Sequence, residues 1–136
     1  GWVWETDASL VYTYLGSRIS DYLGYKPEDL LGKSPLDIVP ADERERLAPI
    51  MRTVAREKVS FVPFTFQVFH KNGSVILVQG NAQAFFDENG SFLGYRGSAR
   101  DITEERRALD ALQEHQQELV AKSRRLEEVN TTLKGY

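Results

Sequence analysis

The chain has 136 residues, 41% of them apolar and 27% charged, with a formal net charge of −3; this is an ordinary balance for one soluble globular domain with an appendage. The acidic balance argues against a nucleic-acid binder, which would show a basic face, and the absence of cysteine removes both a disulfide framework and a thiolate metal site. No apolar run approaches the ~20 residues that span a bilayer and no signal peptide is present, so the expectation is a cytoplasmic piece of a longer protein with no membrane segment.

Trp2 to Thr6 alternates bulky and polar residues and predicts a first strand; Asp7-Ala8-Ser9 predicts a turn, and Leu10 to Leu15 a second strand. Ser17 is expected to cap a short helix with Ile19, Tyr22 and Leu23 at helical spacing, stopped by Gly24. A second short helix starts near Pro27 and ends at Gly32. At these lengths neither stands alone, so both must lie on something apolar. Asp42 with Glu45 reads as a cap pair, followed by Leu47, Ile50, Met51 and Val54 at i, i+3, i+4, i+7 in a helix running to about Lys58. Pro49 inside that stripe predicts a kink or a restart near Ala48.

Ser60 to His70, Val75 to Phe86 and Phe92 to Arg100 read as a three-stranded meander reversed at Asn72-Gly73 and Asn89-Gly90, whose residue types accept the positive φ of tight turns. Five antiparallel strands interrupted by short helices predict an α+β fold with the helices gathered on one face. Alternation puts Phe64, Phe66 and Val68 on one face, with Val78, Gly80, Ala82 and Ala84, and with Tyr95, Gly97 and Ala99. Gln79, Asn81 and Gln83 fall on the other, so the first set is expected to meet the helices. The small residues Gly80, Ala82, Gly97 and Ala99 leave volume or permit close approach. Two readings follow: a core filled by Phe64, Phe66, Tyr95 and Met51, or an apolar cavity suited to a small neutral or aromatic molecule.

The period changes at Asp101-Ile102-Thr103: strand before it, unbroken helix from Glu104 onward with no Gly or Pro until Gly135. Asp101 is expected to cap that helix, with Glu104 completing an Asp-x-x-Glu capping box, Ile102 to bury its side chain against the domain, and Thr103 to add a hydroxyl bond. This divides the chain into a domain over 1–103 and an output helix over 104–136. Leu112, Leu119, Leu126 and Leu133 recur every seven residues at d, with Leu109, Gln116, Ser123 and Asn130 at a. Such a repeat predicts a left-handed coiled coil between parallel helices of a homodimer, loosened by three polar a positions. A single helix without a partner is the alternative.

The run Asp101-Ile102-Thr103-Glu104-Glu105-Arg106 resembles the C-terminal signature of PAS domains, the sensory modules of bacterial kinases and cyclases. Gly24-Tyr25 with Pro27-Glu28-Asp29-Leu30-Leu31-Gly32, then Pro40-x-Asp42, then His70-Lys71-Asn72-Gly73, look like the family's other landmarks in order, over roughly Trp2 to Thr103. The resemblance implies a five-stranded PAS sheet whose inner face, with the Leu47 to Val54 helix, encloses a ligand pocket: Leu47, Ile50, Met51, Val54, Phe64, Phe66, Val68, Val78, Gly80, Ala82, Tyr95, Gly97 and Ala99. It also implies that Asp101, Ile102 and Thr103 couple sensing to an output domain in the same chain.

No cofactor is predicted. Light-oxygen-voltage relatives form a flavin–cysteinyl bond and orient the ring with amides; this chain has no Cys, and Val68, Val78 and Ala99 stand where those amides would be, which excludes a covalent flavin. Haem-binding relatives present a His from the long helix, and Asp42 to Lys58 has none, so haem is disfavoured. His70 and His115 read as solvated side chains, not metal or haem ligands. A noncovalent flavin stays open without positive support, as does a small apolar ligand. No nucleophilic triad, phosphate loop or His/carboxylate metal spacing emerges, so no catalytic residue is expected. Acid pairs such as Asp42 with Glu43 read as helix-start charges. The expected function is a non-catalytic PAS sensor and dimerisation module, most simply of a two-component histidine kinase, with a diguanylate cyclase or a filled-core structural spacer as alternatives.

Overall fold

The structure, a computed structural model, describes the backbone of residues 1–134 and the side chains of residues 1–132. Its elements are β1 (Trp2–Thr6), β2 (Tyr12–Leu15), α1 (Ile19–Leu23), α2 (Pro27–Leu30), a 3₁₀ turn (Pro35–Ile38), α3 (Ala41–Glu57), β3 (Phe61–Phe69), β4 (Val75–Phe86), β5 (Phe92–Asp101) and α4 (Thr103–Lys134). The five strands form one antiparallel sheet in the order β2-β1-β5-β4-β3, and the α+β architecture is the one the alternation predicts. Residues 1–102 make a compact unit and α4 a second one.

β1 inserts between β2 and β5, with Trp2 opposite Ala99 and Trp4 opposite Gly97. Its inward residues Trp2, Trp4 and Thr6 are buried and Val3 is exposed, the half-buried strand its alternation dictates. The core combines this face with Leu15, Ile19, Leu23, Leu30, Ile38, Leu47, Val68, Val78 and Tyr95. The hairpin turns use Gly73 and Gly90 in the left-handed region (φ 91° and 79°). Asn72 and Asn89 stay outside it: Asn72 Oδ1 accepts from the Ser74 N–H at 2.9 Å, and the Asn89 N–H donates to Asp87 Oδ1 at 2.9 Å.

Several local expectations are corrected. β2 begins at Tyr12 because the preceding turn closes on Asp7, whose Oδ1 accepts from the Ser9 and Val11 N–H groups at 2.8 and 3.1 Å, and this closure holds Leu10 at φ 64°. Ser17 does not cap α1; Arg18 is at the cap position, with no side-chain cap bond. Nor do Asp42 and Glu45 form a cap pair. Pro40 is at the cap position of α3, two residues earlier, and Asp42 Oδ1 takes the adjacent Glu43 N–H at 2.9 Å. α3 runs through Pro49 without a restart and ends at Lys58, which is left-handed at φ 51°. The 3₁₀ turn was not anticipated, although Ser34-Pro35-Leu36-Asp37 carries its signal: Ser34 Oγ accepts from the Leu36 N–H (3.1 Å) and Asp37 Oδ2 from the Ser34 N–H (2.8 Å).

Candidate functional site

Between the inner sheet face and α3 lies a cavity of about 130 Å³. Eleven of the thirteen expected pocket residues line it: Leu47, Ile50, Met51 and Val54 from α3, Phe64, Phe66 and Val68 from β3, Val78 and Ala82 from β4, Tyr95 and Ala99 from β5. Gly80 and Gly97 do not. A Cβ on Gly80 would collide with the Ser98 carbonyl oxygen, and one on Gly97 with that of Asn81. These glycines let backbones of adjacent strands approach, and the volume comes from elsewhere.

The remaining wall is formed by Trp2, Trp4 and Thr6 of β1, Leu10, Tyr12 of β2, Ile19 and Leu23 of α1, Pro35 and Ile38 of the 3₁₀ turn, and Val62. The alternation of Trp2, Trp4 and Thr6 was the available signal for the first three, the helical spacing of Ile19 and Leu23 for α1, and the alternation of β3 for Val62; nothing local marks Leu10, Tyr12, Pro35 and Ile38. Ile50 lines the cavity and yet keeps 46% of its surface accessible, which places it at the mouth. No charged side chain is among the lining residues. The volume is near that of the ~150 Å³ apolar cavity that accepts a benzene ring, and below the roughly 300–1,000 Å³ of pockets that hold drug-sized ligands.

Polar groups brace this cavity. The Tyr95 hydroxyl lies 3.0 Å from the Val54 carbonyl and 2.8 Å from that of Val59, so one proton is shared between two acceptors at the end of α3; burial raises the phenol pKa. Thr6 Oγ1 donates to the Asp7 carbonyl (3.1 Å) and accepts from the Tyr95 N–H (3.4 Å). On the far side, β3 is an edge strand whose unpaired groups meet the first turn of α3. Buried Glu43 accepts from the Gln67 N–H at 2.6 Å and from Arg46 Nε at 2.5 Å, and Arg46 Nη2 donates to the Thr65 carbonyl at 3.3 Å. The edge is thereby covered and α3 is tied over the cavity.

The β3–β4 turn is anchored to the short helices by the Lys71 N–H on the Leu23 carbonyl (2.9 Å), the Tyr25 hydroxyl on the Phe69 carbonyl (2.8 Å) and Lys71 Nζ on Asp29 Oδ2 (3.3 Å). The Lys26 backbone N–H, then Lys71, hold the Asp29 carboxyl below its ordinary pKa. His70 Nδ1 accepts from the Asn72 N–H at 3.0 Å, a local turn bond, and His115 is exposed on α4. No cluster of three metal-ligating side chains occurs among the described residues, and no described helix is long and apolar enough to cross a membrane.

At the end of β5, Asp101 is the last strand residue, opposite Val78. Ile102 alone separates strand from helix; it is buried, and its N–H donates to the Leu77 carbonyl at 2.9 Å. Thr103 is the first residue of α4. Taken by itself, α4 is a 32-residue helix on which Leu109, Leu112, Leu119 and Leu126 keep 49–58% of their surface accessible. Gln116, Ser123 and Asn130 are exposed as well, and the Leu133 side chain lies outside the described residues.

A five-stranded antiparallel sheet with short helices on one face, followed by a long helix, is the α+β architecture of the PAS fold. A profile of the PAS fold family matches residues 2–107, and the chain belongs to that family. The fold is shared with the N-terminal domain of a diguanylate cyclase with PAS/PAC sensor from Marinobacter aquaeolei (TM-score 0.67, 16% identity, 77% of this chain and 97% of that one). It is shared too with a sensory box histidine kinase/response regulator from Burkholderia thailandensis (0.67, 20%, 88% and 90%). A third such structure is the Drosophila melanogaster Cycle PAS-B domain with bound ethylene glycol (0.63, 17%, 74% and 99%). No curated protein matches the sequence.

Proposed function

We propose that this PAS domain is a non-catalytic sensor and dimerisation module. A small molecule enters the cavity under α3, the change is felt by Tyr95 and Ala99 on β5, and the strand passes it through Asp101, Ile102 and Thr103 to α4. Two copies of α4 pair in parallel through the leucine repeat and drive an output domain of the same cytoplasmic protein. A histidine kinase of a two-component system is the preferred output and a diguanylate cyclase the alternative, in keeping with the neighbours that share the fold. The single observation that carries the reading is the joint: cavity-lining β5 is separated from α4 by one buried residue, Ile102, held to Leu77, which leaves almost no slack to absorb a displacement.

The filled-core spacer keeps one observation in its favour, the aromatic packing of Trp4 on Phe64, Phe64 on Phe66 and Phe92 on Tyr95, with ring centroids 5.2–6.1 Å apart. The volume favours a small ligand over noncovalent flavin or haem. The test is the output activity of the full-length protein carrying Asp101→Ala, with and without its signal.

A further inference from the structure

The cavity wall is apolar except at a few atoms, and what those atoms lack identifies the chemistry of an occupant. Thr6 Oγ1 and the Tyr95 hydroxyl are satisfied within the protein. The Tyr12 hydroxyl is different. No described protein group donates to it or accepts from it, although its backbone is paired on both sides, N–H to the Lys33 carbonyl at 2.8 Å and carbonyl to the Gly32 N–H at 3.0 Å. Every sealed side-chain nitrogen or oxygen among the described residues has a partner, so this hydroxyl opens on space and not on packed atoms.

The space is the cavity. Tyr12 lines it, packs against the core, and is buried deeply enough for desolvation to push its phenol pKa well above the ordinary value. Tyr12 is only partly buried, and the surface it keeps contributes to the cavity wall. The indole of Trp4, 9% exposed and on the same wall, also has no acceptor for its N–H among the described residues. An indole N–H is donor only, and a phenol this hard to ionise offers its proton.

We infer that Tyr12, together with Trp4 on the same cavity wall, is the polar anchor of a ligand site for small neutral molecules: about one ring in size, mainly apolar, and carrying a hydrogen-bond acceptor such as a ketone, ester or ether oxygen. Anions are rejected, because no cation lines the cavity to offset the loss of their hydration. A pure hydrocarbon fits the apolar wall and leaves the two donors unpaired. The inference rests on reading the cavity as the sensing site and adds the specificity of that site.

The experiment compares cyclopentanone with methylenecyclopentane, molecules of the same shape that differ by C=O against C=CH₂, titrated into the protein labelled at tyrosine ¹³Cζ and observed by NMR. The ketone is expected to shift the Tyr12 ¹³Cζ resonance and the alkene to leave it in place. Tyr12→Phe is expected to weaken ketone binding roughly 2- to 10-fold, the worth of one neutral hydrogen bond, with alkene binding held within about twofold. Equal effects of the variant on both probes, or a Tyr12 resonance that the ketone does not move while it binds, overturn the anchor and leave the cavity standing. Failure of both probes to bind the parent protein up to their solubility overturns the ligand site itself, and the inference with it. The resonance measurement needs no substitution, so it decides the matter even if Tyr12→Phe does not fold.

Discussion

Ala99 and Gly97 sit two residues apart on β5, and both looked like sources of space in the sequence, yet the structure predicts opposite outcomes for enlarging them. Ala99 is buried with its side chain on the cavity wall. Ala99→Leu adds three carbons, which at ~0.8 kcal/mol per buried CH₂ would contribute about 2 kcal/mol if they entered existing space. Rotamer entropy of ~0.5–1 kcal/mol and imperfect fit offset most of this, so stability is expected to stay within about 1 kcal/mol of the parent. Gly97→Ala adds one carbon against the Asn81 carbonyl, a backbone group in the β4–β5 ladder that cannot retreat without opening it. The expected cost is at least ~2 kcal/mol, within the range for overpacking, which in a body of this size lowers the melting temperature by roughly 8–16 °C. Circular dichroism melts of the two variants decide it. Ala99→Leu as damaging as Gly97→Ala would mean that the cavity is not available volume, and a harmless Gly97→Ala would refute the close-approach argument.

Glu43→Gln keeps the side-chain shape but removes the charge that holds the Gln67 N–H and Arg46, and is expected to lower stability by about 1–3 kcal/mol and the urea midpoint with it, at unchanged slope; an unmoved midpoint would show that the tie is dispensable. Leu119→Asp combined with Leu126→Asp places charges in the leucine repeat, so sedimentation should find monomers whose globular body melts as before. A parent chain already monomeric at high concentration would contradict the dimer.

The sheet was legible because its meander alternates cleanly; that alternation and one i, i+3, i+4, i+7 stripe supplied the two apolar faces, and only the PAS resemblance implied that they enclose a pocket, which eleven of those residues line. What escaped is non-local or conformational. That β1 lies between β2 and β5 depends on pairing across more than ninety residues of chain, and without it Trp2 and Trp4 could not be placed over the cavity. Tyr12 gave no sign of being more than a strand former, since its role depends on the missing partner and not on its type. Gly80 and Gly97 illustrate the converse: a small residue in mid-strand signals either room or contact, and only the position of the neighbouring carbonyl separates the two. The joint was readable to within a residue. Asp101 belongs to the strand by its pairing with Val78, and helix ends are defined no better than that from pattern alone.

The most direct measurement of the coupling is made on the full-length protein carrying Asp101→Ala: basal output, output with signal, and the melting temperature of the PAS body. If the strand–helix joint transmits, basal output shifts or the response to signal is lost, while the body loses no more than the ~1 kcal/mol expected of a helix cap. Unchanged basal output together with an unchanged response would contradict transmission through this joint and leave Asp101 a local structural residue.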